Sequence, residues 1–218
     1  MFATFWPQGN EQLVAHLEDT ARGPARGMTW LAGVAATGKS HLLQATCAAA
    51  PATRRCGYFP LTRLQALGPA ALEGLPRLDI VCLDDVQLAA GNAAWEAALF
   101  GLYRELEEGG GALIAAAPVP PAGLAWGLRD LASRFAAATL HVVRPLDESA
   151  QRDALVLRAH VRGFELTDEA ARWLQRRYPR DMATLYRLLD TLDSAALVAQ
   201  RRLTVPFIRS VLLRDAQP

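Results

Sequence analysis

At 218 residues, with 51% hydrophobic and 21% charged side chains, the chain is long enough for one or two domains and too apolar for wholesale disorder. Its net charge of +1 excludes a protein that lives mainly on nucleic-acid phosphates, which takes a larger basic excess. Three cysteines (Cys47, Cys56 and Cys82) without a C-x-x-C pair argue against a disulfide framework or a zinc site and for a reducing, cytoplasmic setting.

The N-terminus lacks a basic region followed by an apolar stretch, so no signal peptide is expected. Met28–Leu31 is an apolar run that reads as a buried strand. Ser40–Ala50 is alanine-rich and free of breakers, a helix stopped by Pro51. Cys56–Phe59 and Asp79–Leu83 read as further strands. Asn92–Glu108 is a helix in which Trp95, Leu99, Leu102 and Leu106 recur at spacings of three and four before three glycines end it. Ala112–Ala116 and Leu140–Val143 complete five strands. The longest apolar stretch, Leu113 to Leu128, is broken by Pro118, Pro120 and Pro121 and falls short of the roughly 18 residues a membrane span needs. Strands alternating with helices predict βαβ units and a parallel sheet. After Arg144-Pro145 strands cease. Asp147 is placed to cap a helix reaching Val161, Thr167 one reaching Tyr178, and two more cover Arg180–Ala199 and the segment from Thr204. The expected division is an α/β base over 1–145 and a helical unit over 146–218.

Residues 33–40 (Gly33, Val34, Ala35, Ala36, Thr37, Gly38, Lys39, Ser40) match G-x-x-x-x-G-K-[ST] at every fixed position, between a predicted strand and a predicted helix. The two glycines permit a tight loop whose N–H groups turn onto phosphates, and the helix N-terminus favours the anion. Lys39 is the one lysine among 23 basic side chains, so arginine serves wherever generic positive charge suffices. A compact ammonium fits a phosphate cradle where a planar guanidinium does not. Downstream, four apolar residues lead to Asp84-Asp85. Beside a P-loop this is a Walker B arrangement, with Ser40 and Asp84 on Mg²⁺ and Asp85 on an attacking water; alone it would also suit a turn or a cap. ADP or ATP with Mg²⁺ is the expected cofactor.

Gly33–Ser40 with His41-Leu42-Leu43, Leu83-Asp84-Asp85-Val86, Asp130-Leu131-Ala132-Ser133-Arg134, Thr4-Phe5-Trp6-Pro7, and Ala199 through Phe207 together resemble the AAA+ module of the DnaA/Hda family, nearer its regulatory Hda-like branch. The resemblance implies a P-loop AAA+ base with a five-stranded sheet, a small helical lid, and nucleotide held between them. It implies that Arg134 is an arginine finger acting on a neighbour's nucleotide and that Arg180 is the lid's sensor 2 arginine. Without the family, Arg134 reads as a solvated arginine at a helix end, and Arg187 rivals Arg180. Phe5, Trp6 and Asn10 match the segment beside the adenine, although the aromatic pair also suits a core staple. His41, next after the P-loop serine, is a nucleotide-binding candidate that also suits a packing or capping role. Phe100 and Arg104 suit a partner face or ordinary packing.

The chain departs from the family where a polar sensor 1 residue normally stands: Ala115-Ala116-Ala117 cannot hydrogen-bond through their side chains. Vigorous self-hydrolysis is therefore not expected. The chain also shows no motif for docking on the DNA sliding clamp and no helix-turn-helix after the lid, so direct sequence-specific DNA binding is not expected. The resulting expectation is a cytoplasmic regulator that stimulates hydrolysis of ATP on the DnaA initiator, with the clamp as a second partner and self-association open. Two rivals are a self-sufficient ATPase such as a helicase loader, and an adaptor that uses nucleotide only to hold its shape.

Overall fold

The computed structural model describes residues 1–24, 26–178, 182–199 and 204–212. The chain forms two compact units: Met1–Phe2 with Gly9–Pro145, and Ala3–Gln8 with Leu146–Pro218.

The first unit is a five-stranded parallel sheet in the order β2-β3-β4-β1-β5, where β1 is Gly27–Ala32, β2 Cys56–Pro60, β3 Ile80–Asp84, β4 Ala112–Ala117 and β5 Thr139–Val142. The central strands are buried along almost their whole length, which explains why they read as unbroken apolar runs rather than alternating ones. The edge strands are more accessible. Because every strand points the same way, the turns that follow β1, β3 and β4 emerge at one edge of the sheet. β4 lies between β1 and β3, so Ala117 stands between the P-loop strand and the Asp84 strand.

Five α-helices belong to this unit among the described residues: α1 Glu11–Arg22, α2 Lys39–Ala49, α3 Leu61–Leu64, α4 Ala93–Gly109 and α5 Arg129–Ala136, with short 3-10 turns between them. The sequence reading passes over α1, although Leu13, Leu17 and Ala21, spaced by four, bury one face of it. It is tied down by Asn10, whose amide both accepts from Arg144 N (2.8 Å) and donates to Arg144 O (3.2 Å). The heptad-like face of α4 is buried as its spacing predicts, and Asn92 caps it by accepting from the N–H groups of Ala94 and Trp95. Trp30 on β1, Phe135 on α5 and Trp126 meet edge to face or tilted at 5.2–6.5 Å, with Leu83, Leu99, Leu102 and Leu106 around them. Both indole N–H groups donate to backbone carbonyls, of Val119 and Pro121.

The second unit is helical: α6 Glu148–Val161, α7 Asp168–Arg177, α8 Met182–Ala199 and α9 Val205–Leu212. Asp147 accepts from Ala150 N (2.8 Å) and Thr167 from Ala170 N (3.2 Å), so the two capping residues legible in the sequence do start these helices. Its own core holds Leu155, Leu174, Leu185, Leu189, Leu192, Ile208 and Leu212. Outside, Asp190 and Asp193 gather Arg158 and Arg162 (2.5–3.7 Å). No helix among the described residues is long and apolar enough to cross a membrane.

Candidate nucleotide site

β1 ends by handing the chain to Gly33. A Cβ there would lie 2.9 Å from the carbonyl oxygen of Val143 and 3.0 Å from Thr37 Oγ1, so only glycine fits. The loop then turns back on itself. Ala36 takes a left-handed conformation (φ 63°), uncommon for a residue with a side chain, and Gly38 follows at φ 97° as the N-cap of α2. Thr37 Oγ1 donates to Val34 O at 3.0 Å and closes the turn. Lys39, first in α2, arches over this loop and donates to Gly33 O (2.5 Å) and Val34 O (2.9 Å). Burial lowers its pKa below the ordinary lysine range, opposed by attraction from Asp84 and then Asp85. Loop, lysine and both carboxylates are thus close neighbours.

Asp84, the last residue of β3, is 2% exposed. A buried carboxylate needs partners. It accepts from the Tyr58 hydroxyl (Oδ2, 2.8 Å) and from the N–H of Asp85 (Oδ1, 3.0 Å). Tyr58 lies on the neighbouring strand β2, and its phenol is pushed up to about 12 by burial and by the hydrogen bond to Asp84, with opposing hydrogen bonds from Gln44 and Ser40. Ser40, Tyr58 and Asp84 therefore share one polar cluster. Nothing in the sequence points to Tyr58; only the β2–β3 pairing brings it beside Asp84. Asp85 sits in the left-handed region (φ 58°) and accepts from Gln87 Nε2 at 3.3 Å. Strained backbone at Ala36 and Asp85 costs on the order of 1–2 kcal/mol per residue and gathers at this one edge of the sheet. Gly33, Gly38, Lys39, Ser40 and Asp84 supply what a nucleotide's phosphates and a hard divalent ion require: a tight loop at a helix N-terminus, an ammonium, a hydroxyl and a carboxylate.

Between these groups the end of β4 is apolar. Ala115, Ala116 and Ala117 are fully buried, and Ala117 contributes only its carbonyl, which accepts from Gly33 N at 3.2 Å.

Arg134 is on the accessible side of α5. Its neighbours are on α4: Glu107 Oε1 at 3.8 Å and the Tyr103 ring at 5.8 Å, with Tyr103 donating to the same Glu107 (2.8 Å). The start of α5 is fixed from α4 as well. Glu96, 1% exposed, accepts from the N–H groups of Gly91 (2.7 Å), Gly127 (3.1 Å) and Leu128 (2.6 Å). Burial pushes this carboxyl up, but the three N–H donors outweigh it and hold it below the usual range.

The other sequence candidates divide. His41 Nε2 is 3.1 Å from Met1 O. Trp6 Nε1 donates to Gln8 Oε1 at 3.3 Å, and Phe5 and Trp6 belong to the second unit. Phe100 packs on the core of the first unit and Arg104 pairs with Glu108 at 3.3 Å. Arg187 donates to Thr184 at 3.0 Å. Arg180 lies outside the described residues.

Residues 147–212 match the family model for the Hda lid domain. Domain III of the Thermotoga maritima replication initiation protein DnaA is similar with a TM-score of 0.76 at 20% identity, covering 96% of this chain and 93% of that one. AMPPCP-bound DnaA from Aquifex aeolicus gives 0.67 at 21% identity, covering 86% of this chain and 62% of that one, so the chain spans less than two thirds of that relative's length. The Thermotoga maritima RuvB branch migration motor gives 0.67 at 13%, covering 94% and 68%. The fold is therefore that of an AAA+ module.

Proposed function

We propose that this chain, a DnaA-related and Hda-like AAA+ protein, is a regulator that keeps a resident ADP or ATP in its own cradle and donates Arg134 to ATP held by a neighbouring DnaA molecule. The observation that carries this reading is a full phosphate cradle next to a strand end of buried alanines. Hydrolysis at the chain's own site needs a polar group to position the attacking water, and Ala115–Ala117 supply none. Bound nucleotide and Mg²⁺ would bring the reacting phosphates and a neutralising charge. Lys39 then holds the terminal phosphates, while Ser40 and Asp84 hold the metal. Asp85 is left as the group nearest to a base, which fits weak turnover.

Arg134 suits action in trans. Its guanidinium stays charged and offers a planar fork of donors. Its partners on α4 are half-exposed, and such an ion pair is worth about 0–1 kcal/mol, so the side chain can leave Glu107 for a phosphate at small cost. Stabilising the charge that develops on the transferred phosphoryl group is what a finger contributes, worth roughly 10³–10⁵ in rate. The products are ADP and phosphate on DnaA. Docking on the DNA sliding clamp, and a lid contact from Arg180 to the chain's own nucleotide, belong to the same reading.

The test mixes the protein with ATP-loaded DnaA and clamp-loaded DNA and follows phosphate release. Arg134→Ala is expected to bind DnaA yet to lose the stimulation by at least about a hundredfold. Equal stimulation by wild type and variant would rule the mechanism out. A rate that persists without DnaA and disappears in Asp85→Asn would mark the protein as an ATPase in its own right.

A further inference from the structure

The three cysteines are spread over 36 residues, yet their thiols meet at one place. Cys47 lies near the end of α2, Cys56 opens β2 and Cys82 lies in the middle of β3. The Cys47 and Cys56 sulfurs are 2.9 Å apart, Cys47 and Cys82 are 3.8 Å apart, and all three lie within 4.8 Å of one another. Every cysteine of the chain is in this group. The nucleotide cradle uses none of them.

We propose that Cys47, Cys56 and Cys82 form a three-thiolate site for a single soft, thiophilic metal ion. Two thiolates on one tetrahedral ion with metal–sulfur bonds of about 2.3 Å stand about 3.8 Å apart; the Cys47–Cys82 spacing has that value, and the Cys47–Cys56 pair, at 2.9 Å, has to open by about 1 Å. The donor set is all sulfur, which selects Cu(I) or Zn²⁺ and rejects the hard Mg²⁺ of the phosphate site. Cys82 is fully buried, whereas Cys47 and Cys56 are half-buried, so the ion has a wet side from which to enter and, for Zn²⁺, to keep a water as fourth ligand. Arg54 offsets the negative charge of the thiolates. Its guanidinium acts on Cys56 and is pinned by donating to the carbonyls of Thr20 (2.8 Å) and Gly23. The thiols release their protons to solvent as the ion binds.

Such a site would clip together three elements of which two serve the cradle: α2 begins with Lys39, and β3 ends two residues after Cys82 at Asp84. The reading against metal in the sequence rests on spacing along the chain. Here the ligands converge through strand pairing and helix packing, which chain spacing does not report.

The experiment titrates reduced, desalted protein with Zn²⁺, with Cu(I), and with Co²⁺ as a spectroscopic probe. Expected are one equivalent per chain of Zn²⁺ or Cu(I), a sulfur-to-cobalt charge-transfer band, a raised melting temperature, and no displacement by Mg²⁺. Cys82→Ser and the half-exposed Cys56→Ser should each weaken binding by more than the roughly 10–100-fold that losing an outer-sphere partner causes. Retained thermal stabilisation of Cys56→Ser by ADP shows that this variant is folded. The proposal fails if the reduced protein takes up neither ion stoichiometrically, if Cys56→Ser binds as wild type does, or if the sole chemistry found is a Cys47–Cys56 disulfide.

Discussion

Lys39 carries more than charge. Its ammonium is bent back onto two carbonyls of the loop it follows, half-buried, with two carboxylates near. In that space a guanidinium is too broad, and a neutral side chain leaves the carbonyls without their donor. Lys39→Arg and Lys39→Ala are both expected to weaken ADP binding by roughly 10–100-fold, the worth of one or two charge-assisted contacts. Isothermal titration measures it, and a fold that melts at the wild-type temperature without nucleotide separates the effect from misfolding. The lysine and the glycines around it were legible from sequence because each meets a requirement that no other residue meets. Tyr58 was not legible. A tyrosine in an edge strand carries no mark of its role until register sets it opposite Cys82, two residues before Asp84 and on the same face of β3.

At the scale of elements, Glu96 decides how α4 and α5 join. One buried carboxylate serves three backbone N–H groups from two separate segments, Gly91 and Gly127–Leu128. Glu96→Ala strands those donors and opens a void, and should cost roughly 2–4 kcal/mol in chemical denaturation. The pH dependence follows from the direction of its shift. The folded carboxyl ionises at lower pH than the unfolded one, so its contribution is complete above the unfolded value, about 4.3, and is lost as pH falls through the folded value. The stability gap between wild type and Glu96→Gln should therefore hold at neutral pH and shrink in acid below that value; a gap constant from pH 7 to pH 3 would contradict this account. Because α5 begins at these N–H groups, Glu96 is also a positioning residue for Arg134. Periodicity gave the helices with strong stripes and clear caps, α4, α6 and α7. It passed over α1, whose stripe is three residues wide and whose anchoring comes from Arg144, more than a hundred residues on.

For the whole molecule, two separate cores set the terms. The first unit packs around Trp30, Trp126 and Phe135, the second around leucines of α6 to α9. A core truncation should act within its own unit. Leu189→Ala is expected to destabilise the helical unit by about 2–5 kcal/mol while leaving the fluorescence transition of Trp30 and Trp126 in place; a single transition shifted as a whole would mean that the units melt together. The sequence by itself determined the class of fold, because buried parallel strands and capped helices write their periods and end signals locally. It also determined the P-loop, because phosphate chemistry leaves few alternatives at each position. Only the tertiary structure decided what stands next to what. The strand order put apolar β4 between the P-loop and Asp84, the β2–β3 register brought Tyr58 to that carboxylate, and the packing of α2 on the sheet gathered Cys47, Cys56 and Cys82. Contacts between residues far apart in the chain depend on the order and register of strands, and one chain read linearly carries no record of either.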